Sequence, residues 1–189
     1  MSNIGLVGLS MTKGSFVSKA IWWFRKPFSN SDFIPSHVFV TIGSILGKDL
    51  LWEITDPKIR IYPLENYLVN KNKRIELWEI QNIDLRTKKK VLSELLKLSG
   101  KTYGYLQLFG FSLISLGKKL GLNLNNPINI ERELVCSEGV YKYLEEIGYI
   151  EGMNSNNVAP DTILKILKET GNAKLVAVKE YNSAELKRL

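Results

Sequence analysis

Two side chains in this sequence of 189 residues occur once each and can work as a pair: Cys136, the only cysteine, and His37, the only histidine. A thiol attacks as its thiolate, and the positive end of a helix dipole together with a neighbouring imidazole can bring its pKa from about 8.5 into the physiological range. Cys136 stands in Glu133-Leu134-Val135-Cys136-Ser137-Glu138-Gly139-Val140-Tyr141, which reads as the start of a helix. His37 lies 99 residues earlier, in Ser36-His37-Val38-Phe39-Val40-Thr41-Ile42-Gly43. Separation in sequence is no obstacle, because a nucleophile and its base need only meet in space. A third member is Glu53, inside the apolar run Leu50-Leu51-Trp52-Glu53-Ile54. A carboxylate there is costly to bury without a partner, and an imidazole nitrogen would supply one. Taken alone, a single cysteine is also a common buried small hydrophobe, so residue types by themselves leave catalysis and plain packing both open.

The elements that must position these residues follow from periodicity. Asn3 to Gly8 reads as a buried strand and Ser10 to Ser15 as a polar turn. Ser15 to Phe24 has helical spacing and ends in Trp22, Trp23 and Phe24 before Pro27. Ser36 to Gly43 and Leu50 to Thr55 form an antiparallel hairpin; the period of two puts His37, Phe39 and Thr41 on one face and Val38, Val40 and Ile42 on the other. Lys58 to Tyr62 and Arg74 to Ile80 add strands, with a short helix from Pro63 to Leu68 between them. Asp84 opens an amphipathic helix ended by Gly100, Tyr103 to Leu120 is helical with several glycines, and Leu122 to Ile130 is a loop. The helix of Cys136 closes at Gly148. Another runs from Ala159-Pro160-Asp161 to Glu169, Lys174 to Tyr181 is a last strand, and the tail begins near residue 182.

The length fits one domain spanning residues 1–189. A hydrophobic fraction of 44% with 24% charged residues is that of a globular chain rather than a disordered one. One cysteine excludes an internal disulfide, and one cysteine with one histidine supplies too few nitrogen and sulfur ligands for a structural zinc site. The first residues lack the basic start of a signal peptide. With the unpaired cysteine, this places the expectation in the cytoplasm. The longest uncharged stretch, Thr102 to Gly117, falls short of the roughly 20 residues that span a bilayer. A net charge of +7 favours an anionic partner such as nucleic acid or an acidic membrane.

Order and context make the pattern more specific. Ser36-His37-Val38 on a strand, Trp52-Glu53-Ile54 on the next, Lys101-Thr102-Tyr103-Gly104-Tyr105, and Val135-Cys136-Ser137-Glu138 opening a helix resemble the permuted NlpC/P60 papain-like superfamily. The nearest likeness is to the bacterial YiiX-like thiol hydrolases and their poxvirus relatives, in which the strand bearing His precedes the helix bearing Cys, the reverse of papain. Lys13 to Ile21 looks like the opening helix of that group and Ala159 to Ile163 like its closing one, so the resemblance runs from Ile4 to Leu167. Two places depart from it: Gly139-Val140 stands where the family commonly has Leu-Val, and Tyr103-Gly104 where it often has Tyr-Asp.

The resemblance implies an α+β, circularly permuted papain-like fold, with an antiparallel sheet of five or six strands packed against helices and the cysteine at a helix N-terminus. It implies a cysteine peptidase or amidohydrolase without metal or cofactor. Cys136 would be the nucleophile, His37 the base and Glu53 its orienter, with Ser36, Ser137, Tyr103 and Tyr105 in contact with substrate. Peptide, peptidoglycan and acyl-lipid substrates all fit. An acyltransferase or lipid esterase on the same fold remains open, as does a catalytically idle domain that binds an anionic partner.

Overall fold

The computed structural model describes residues 3–13, 33–55, 58–100, 136–152 and 158–189. Its centre is one antiparallel sheet of seven strands: β1 (Ile4–Thr12), β2 (His37–Ile45), β3 (Lys48–Thr55), β4 (Lys58–Pro63), β5 (Lys73–Ile80), β6 (Ala173–Lys179) and β7 (Lys187–Arg188). They lie side by side in the order β4-β3-β2-β1-β5-β6-β7. Four helices are described: α1 (Glu65–Leu68), α2 (Leu85–Leu96), α3 (Cys136–Glu146) and α4 (Pro160–Glu169). The class is therefore α+β, with more strands than the five or six expected from the sequence.

Two differences account for the larger sheet. The region beyond residue 182 is not all tail, since Lys187 and Arg188 pair with Val178 and Ala177 along β6. Ser10, expected in a polar turn, is a fully buried strand residue paired with His37 on one side and Ile75 on the other. In a central strand both rows of backbone groups are consumed by neighbours, and that gain outweighs the turn preference of a single serine. The helices expected at 15–24 and 103–120 and the loop at 122–130 fall outside the described residues.

The two faces of the sheet are used differently. One carries Val7, Leu9, Val38, Val40, Trp52 and Ile54 beneath α2, α3 and α4. The other carries Leu6, Phe39, Leu51, Ile75 and Leu77, with Leu64 and Tyr67 from the α1 region laid over them. Alternation along each strand makes this division, as the period of two predicts. Local signals set the ends of the elements. Asp84 caps α2 by accepting the Thr87 N–H at 2.9 Å, and Pro160 occupies the first turn of α4, where its missing N–H costs nothing. Between β2 and β3 the chain turns in two residues, Leu46 and Gly47, both at positive φ (51° and 78°), the pattern of a tight hairpin turn.

Packing of α3 fixes where Cys136 sits. The helix lies across β2 and β3, and Gly139 packs directly on the β3 side chains. A Cβ there would collide with Ile54 and stand 2.9 Å from Trp52 Cη2. The far end is held by the Tyr143 hydroxyl, which donates to the Gly5 carbonyl at 3.1 Å. Among the described residues no helix is long and apolar enough to cross a membrane.

Candidate active site

Cys136 is the first residue of α3 and is 4% exposed, within the helix-covered core. His37 is the first residue of β2, and by alternation its ring belongs to the opposite face, with Phe39 and Tyr67. At the end of its strand, the His37 imidazole is near enough to the Cys136 thiol, as well as to Glu53, for both to bear on its charge.

Glu53 is the partner the sequence asked for. Paired with Phe39 across the β2–β3 ladder, it has no exposed surface, and its Oε2 accepts from His37 Nε2 at 2.9 Å. That bond puts a proton on Nε2 and leaves Nδ1 for the thiol. Two further donors complete the carboxylate. Arg60 Nε donates to Oε1 at 2.8 Å, and the Tyr67 hydroxyl donates to Oε2.

The electrostatics follow from this wiring. Burial alone would push the Glu53 pKa up, but the hydrogen bond and charge of His37, with Tyr67 and Arg60 added, hold it down at about 2. Burial likewise works against a charged His37, but the hydrogen bonds to Cys136 and Glu53 and the charge on each raise it to about 9. The imidazole is therefore cationic at neutral pH. The Tyr67 hydroxyl is pushed far above its ordinary value, first by burial and then by the Glu53 charge, so it acts only as a donor to that carboxylate.

The other residues singled out from the sequence fall as follows. Ser36 is half-buried beside the site, its N–H donating to the Ser10 carbonyl at 2.9 Å. Ser137 is 1% exposed and its hydroxyl donates to the Val158 carbonyl at 2.5 Å, which fastens α3 to the segment before α4. Tyr103 and Tyr105 lie outside the described residues. Sequence reading missed Arg60 and Tyr67. The first was within reach, because Thr55 pairs with Lys58 and the same register sets Arg60 opposite Glu53. Nothing in the sequence showed that α1 would fold its tyrosine over the sheet.

An α+β fold with a Cys, His and Glu at the end of an antiparallel sheet is thus the class this chain defines. No family model and no curated protein matches the chain. Among solved structures, the crystal structure of the metalloprotein YiiX from Escherichia coli O157:H7 matches with a TM-score of 0.52 and 18% identity, covering 98% of this chain and 87% of that one. The two share a fold.

That neighbour is described as a metalloprotein, so the donor set here bears testing. Both Glu53 oxygens are taken by Arg60, Tyr67 and His37, and Nε2 of His37 is spent on Glu53. This leaves one ring nitrogen and one sulfur, fewer than the three protein ligands of a catalytic zinc site. No group of three or more His, Cys, Asp or Glu that could hold a metal occurs among the described residues. Among the described residues, these donors alone do not make up a metal site.

Proposed function

We propose that this protein is a cysteine hydrolase of the permuted NlpC/P60 papain-like kind, cleaving an amide through a thioester with Cys136, His37 and Glu53 as its triad. The observation that carries the reading is the wiring of the one histidine, bonded through Nε2 to a buried, ionised Glu53 and interacting with the one cysteine at a helix start. The chain order of these residues and the fold shared with YiiX support the permuted papain-like assignment.

In this mechanism the Cys136 sulfur attacks the substrate carbonyl carbon and forms a C–S bond. The developing oxyanion is met by the backbone N–H at the helix start, a kind of donor worth about 2.7–4 kcal/mol. The tetrahedral adduct collapses as the C–N bond breaks, and His37 gives its proton to the leaving amine. Water then attacks the thioester while His37 takes one of its protons, releasing the acid and the thiolate. Glu53 holds the imidazole in the tautomer and orientation both steps need.

The test is a panel of amide and ester substrates with intact mass spectrometry of the protein. An adduct on Cys136 equal to the acyl group, absent in Cys136→Ala and strongly reduced in His37→Ala, is the expected result. A chain that acquires no acyl mass from any class of substrate is an idle domain, and the hydrolase reading falls.

A further inference from the structure

Apart from Lys73, every buried or half-buried basic side chain among the described residues, Arg60, Arg74, Lys88 and Lys179, has a carboxylate or carbonyl partner, as do several exposed ones. Lys48 pairs with Glu65 at 3.1 Å, Arg74 with Glu76 at 3.1 Å, Lys97 with Glu94 at 2.6 Å and Arg60 with Glu53 at 2.8 Å. Two ammonium groups are spent on backbone carbonyls instead. Lys88 donates to Ile80 at 2.7 Å, and Lys179 donates to Lys73 at 2.6 Å and to Asn70 at 2.9 Å.

Lys73 differs from these. It opens β5, opposite Thr12 of β1, on the sheet face that carries His37 and Glu53. Half-buried, its ammonium lies 3.6 Å from the centre of the Tyr67 ring and has neither a carboxylate nor a carbonyl in bonding reach among the described residues. The same ring stacks beside His37, with centres 6.2 Å apart and planes 28° from parallel, and its hydroxyl holds Glu53. The ammonium is therefore no farther from the imidazole than those two distances laid end to end.

From this juxtaposition we infer that Lys73 is the anchor of an anion subsite beside the reaction centre, and that the substrate carries a carboxylate or phosphate within about three extended residue lengths of the scissile carbonyl. The placement rests on the hydrolase reading; the binding of an anion does not. A half-buried ammonium without a counterion is costly, and an incoming anion relieves that cost through a charge-assisted bond. Burial accordingly lowers the Lys73 pKa to about 8, with the charge of Glu53 raising it and those of Arg60 and Lys179 lowering it. At neutral pH the group is still largely cationic.

The one histidine makes the test direct, because its imidazole NMR signals report an anion arriving across Tyr67. Sodium acetate and inorganic phosphate are titrated separately at constant ionic strength. The expected result is a saturable shift with one or both in the wild type. Affinity should fall roughly tenfold or more in Lys73→Met, as expected for loss of a charge-assisted bond, and be kept in Lys73→Arg. Lys165→Met, which removes one charge from an exposed pair with Glu169, should leave the shift unchanged. A response to acetate alone assigns a carboxylate, and one to phosphate alone a phosphoryl group. The inference is overturned by a wild type without saturable response, by a shift that survives in Lys73→Met, or by equal losses in Lys73→Met and Lys165→Met. Should Lys73→Met not fold, Lys73→Gln decides in the same way. Acylation of Cys136 is read separately by mass, so the subsite and the hydrolase reading can fail independently.

Discussion

Glu53 is a carboxylate with no exposed surface that accepts from an imidazole, a guanidinium and a phenol at once. Removing one partner of such a cluster leaves the others buried with unmatched polarity, which is why the residue is better probed by an isosteric change than by truncation. Glu53→Gln keeps the volume and removes the charge. Without the anion, the His37 pKa should fall from about 9 toward its ordinary 6.5, the direction set by loss of an opposite charge. The amide also offers one accepting oxygen to the three donors His37, Arg60 and Tyr67, so the hold on the imidazole weakens, and kcat should drop by roughly 10²–10⁴-fold, the range ascribed to a working general acid–base group. Titration of the one imidazole by NMR and steady-state kinetics check the two halves. An imidazole still titrating near 9 in the variant would show that Cys136 alone sets its charge.

At the scale of elements, the site depends on how closely α3 lies on β3. Gly139 permits that approach, and Gly139→Ala tests it through a sign. In a helix free of crowding, alanine would gain about 0.5–1 kcal/mol over glycine. Here the added methyl meets Ile54 and Trp52, and overpacking of a core costs about 1–3 kcal/mol, so a net destabilisation is expected in urea unfolding. A stabilised variant would mean that α3 does not rest on those side chains. The glycine was visible in the sequence as a departure from the resembled family, but only the packing gives its reason. Much of the sheet was visible too: alternation in 36–43 and 50–55 identified the hairpin, and an acid inside an apolar run identified Glu53 as a residue that must be partnered. The misses share a physical cause. Lys187 and Arg188 are too few to carry a pattern and become a strand because β6 offers them an open edge. The bond from the Ser137 hydroxyl to Val158 is likewise a contact across 21 residues that no local periodicity encodes.

For the whole molecule, the His37–Glu53 pair ties β2 to β3 with a fully buried carboxylate, so its charge state bears on the stability of the entire fold. His37 has its folded pKa raised from 6.5 to about 9. Its contribution is complete below 6.5 and is lost as pH rises through 9. Glu53 has its folded pKa lowered from 4.5 to about 2, so its contribution is complete above 4.5 and is lost as pH falls through 2. The His37–Glu53 attraction is common to both shifts, with Cys136 adding to that of the histidine, so the two do not simply add, and maximal stability lies between about 4.5 and 6.5. Lys73 acts in the opposite sense: its folded pKa of about 8 lies below the ordinary 10.5, so its charged form is disfavoured and relief arrives as pH rises from 8 to 10.5. The window from 6.5 to 8 is therefore free of both the Glu53 and the Lys73 changes. Over it the protein should lose about 2 kcal/mol, since each pH unit of such a mismatch is worth about 1.4 kcal/mol. Urea unfolding at closely spaced pH values measures this directly. His37→Gln should abolish the decline between 6.5 and 8, and Lys73→Met should leave that decline intact while removing the recovery above 8. A wild-type stability that stays level from 6.5 to 8, or a decline that persists without the histidine, would place the pH sensitivity of this fold elsewhere.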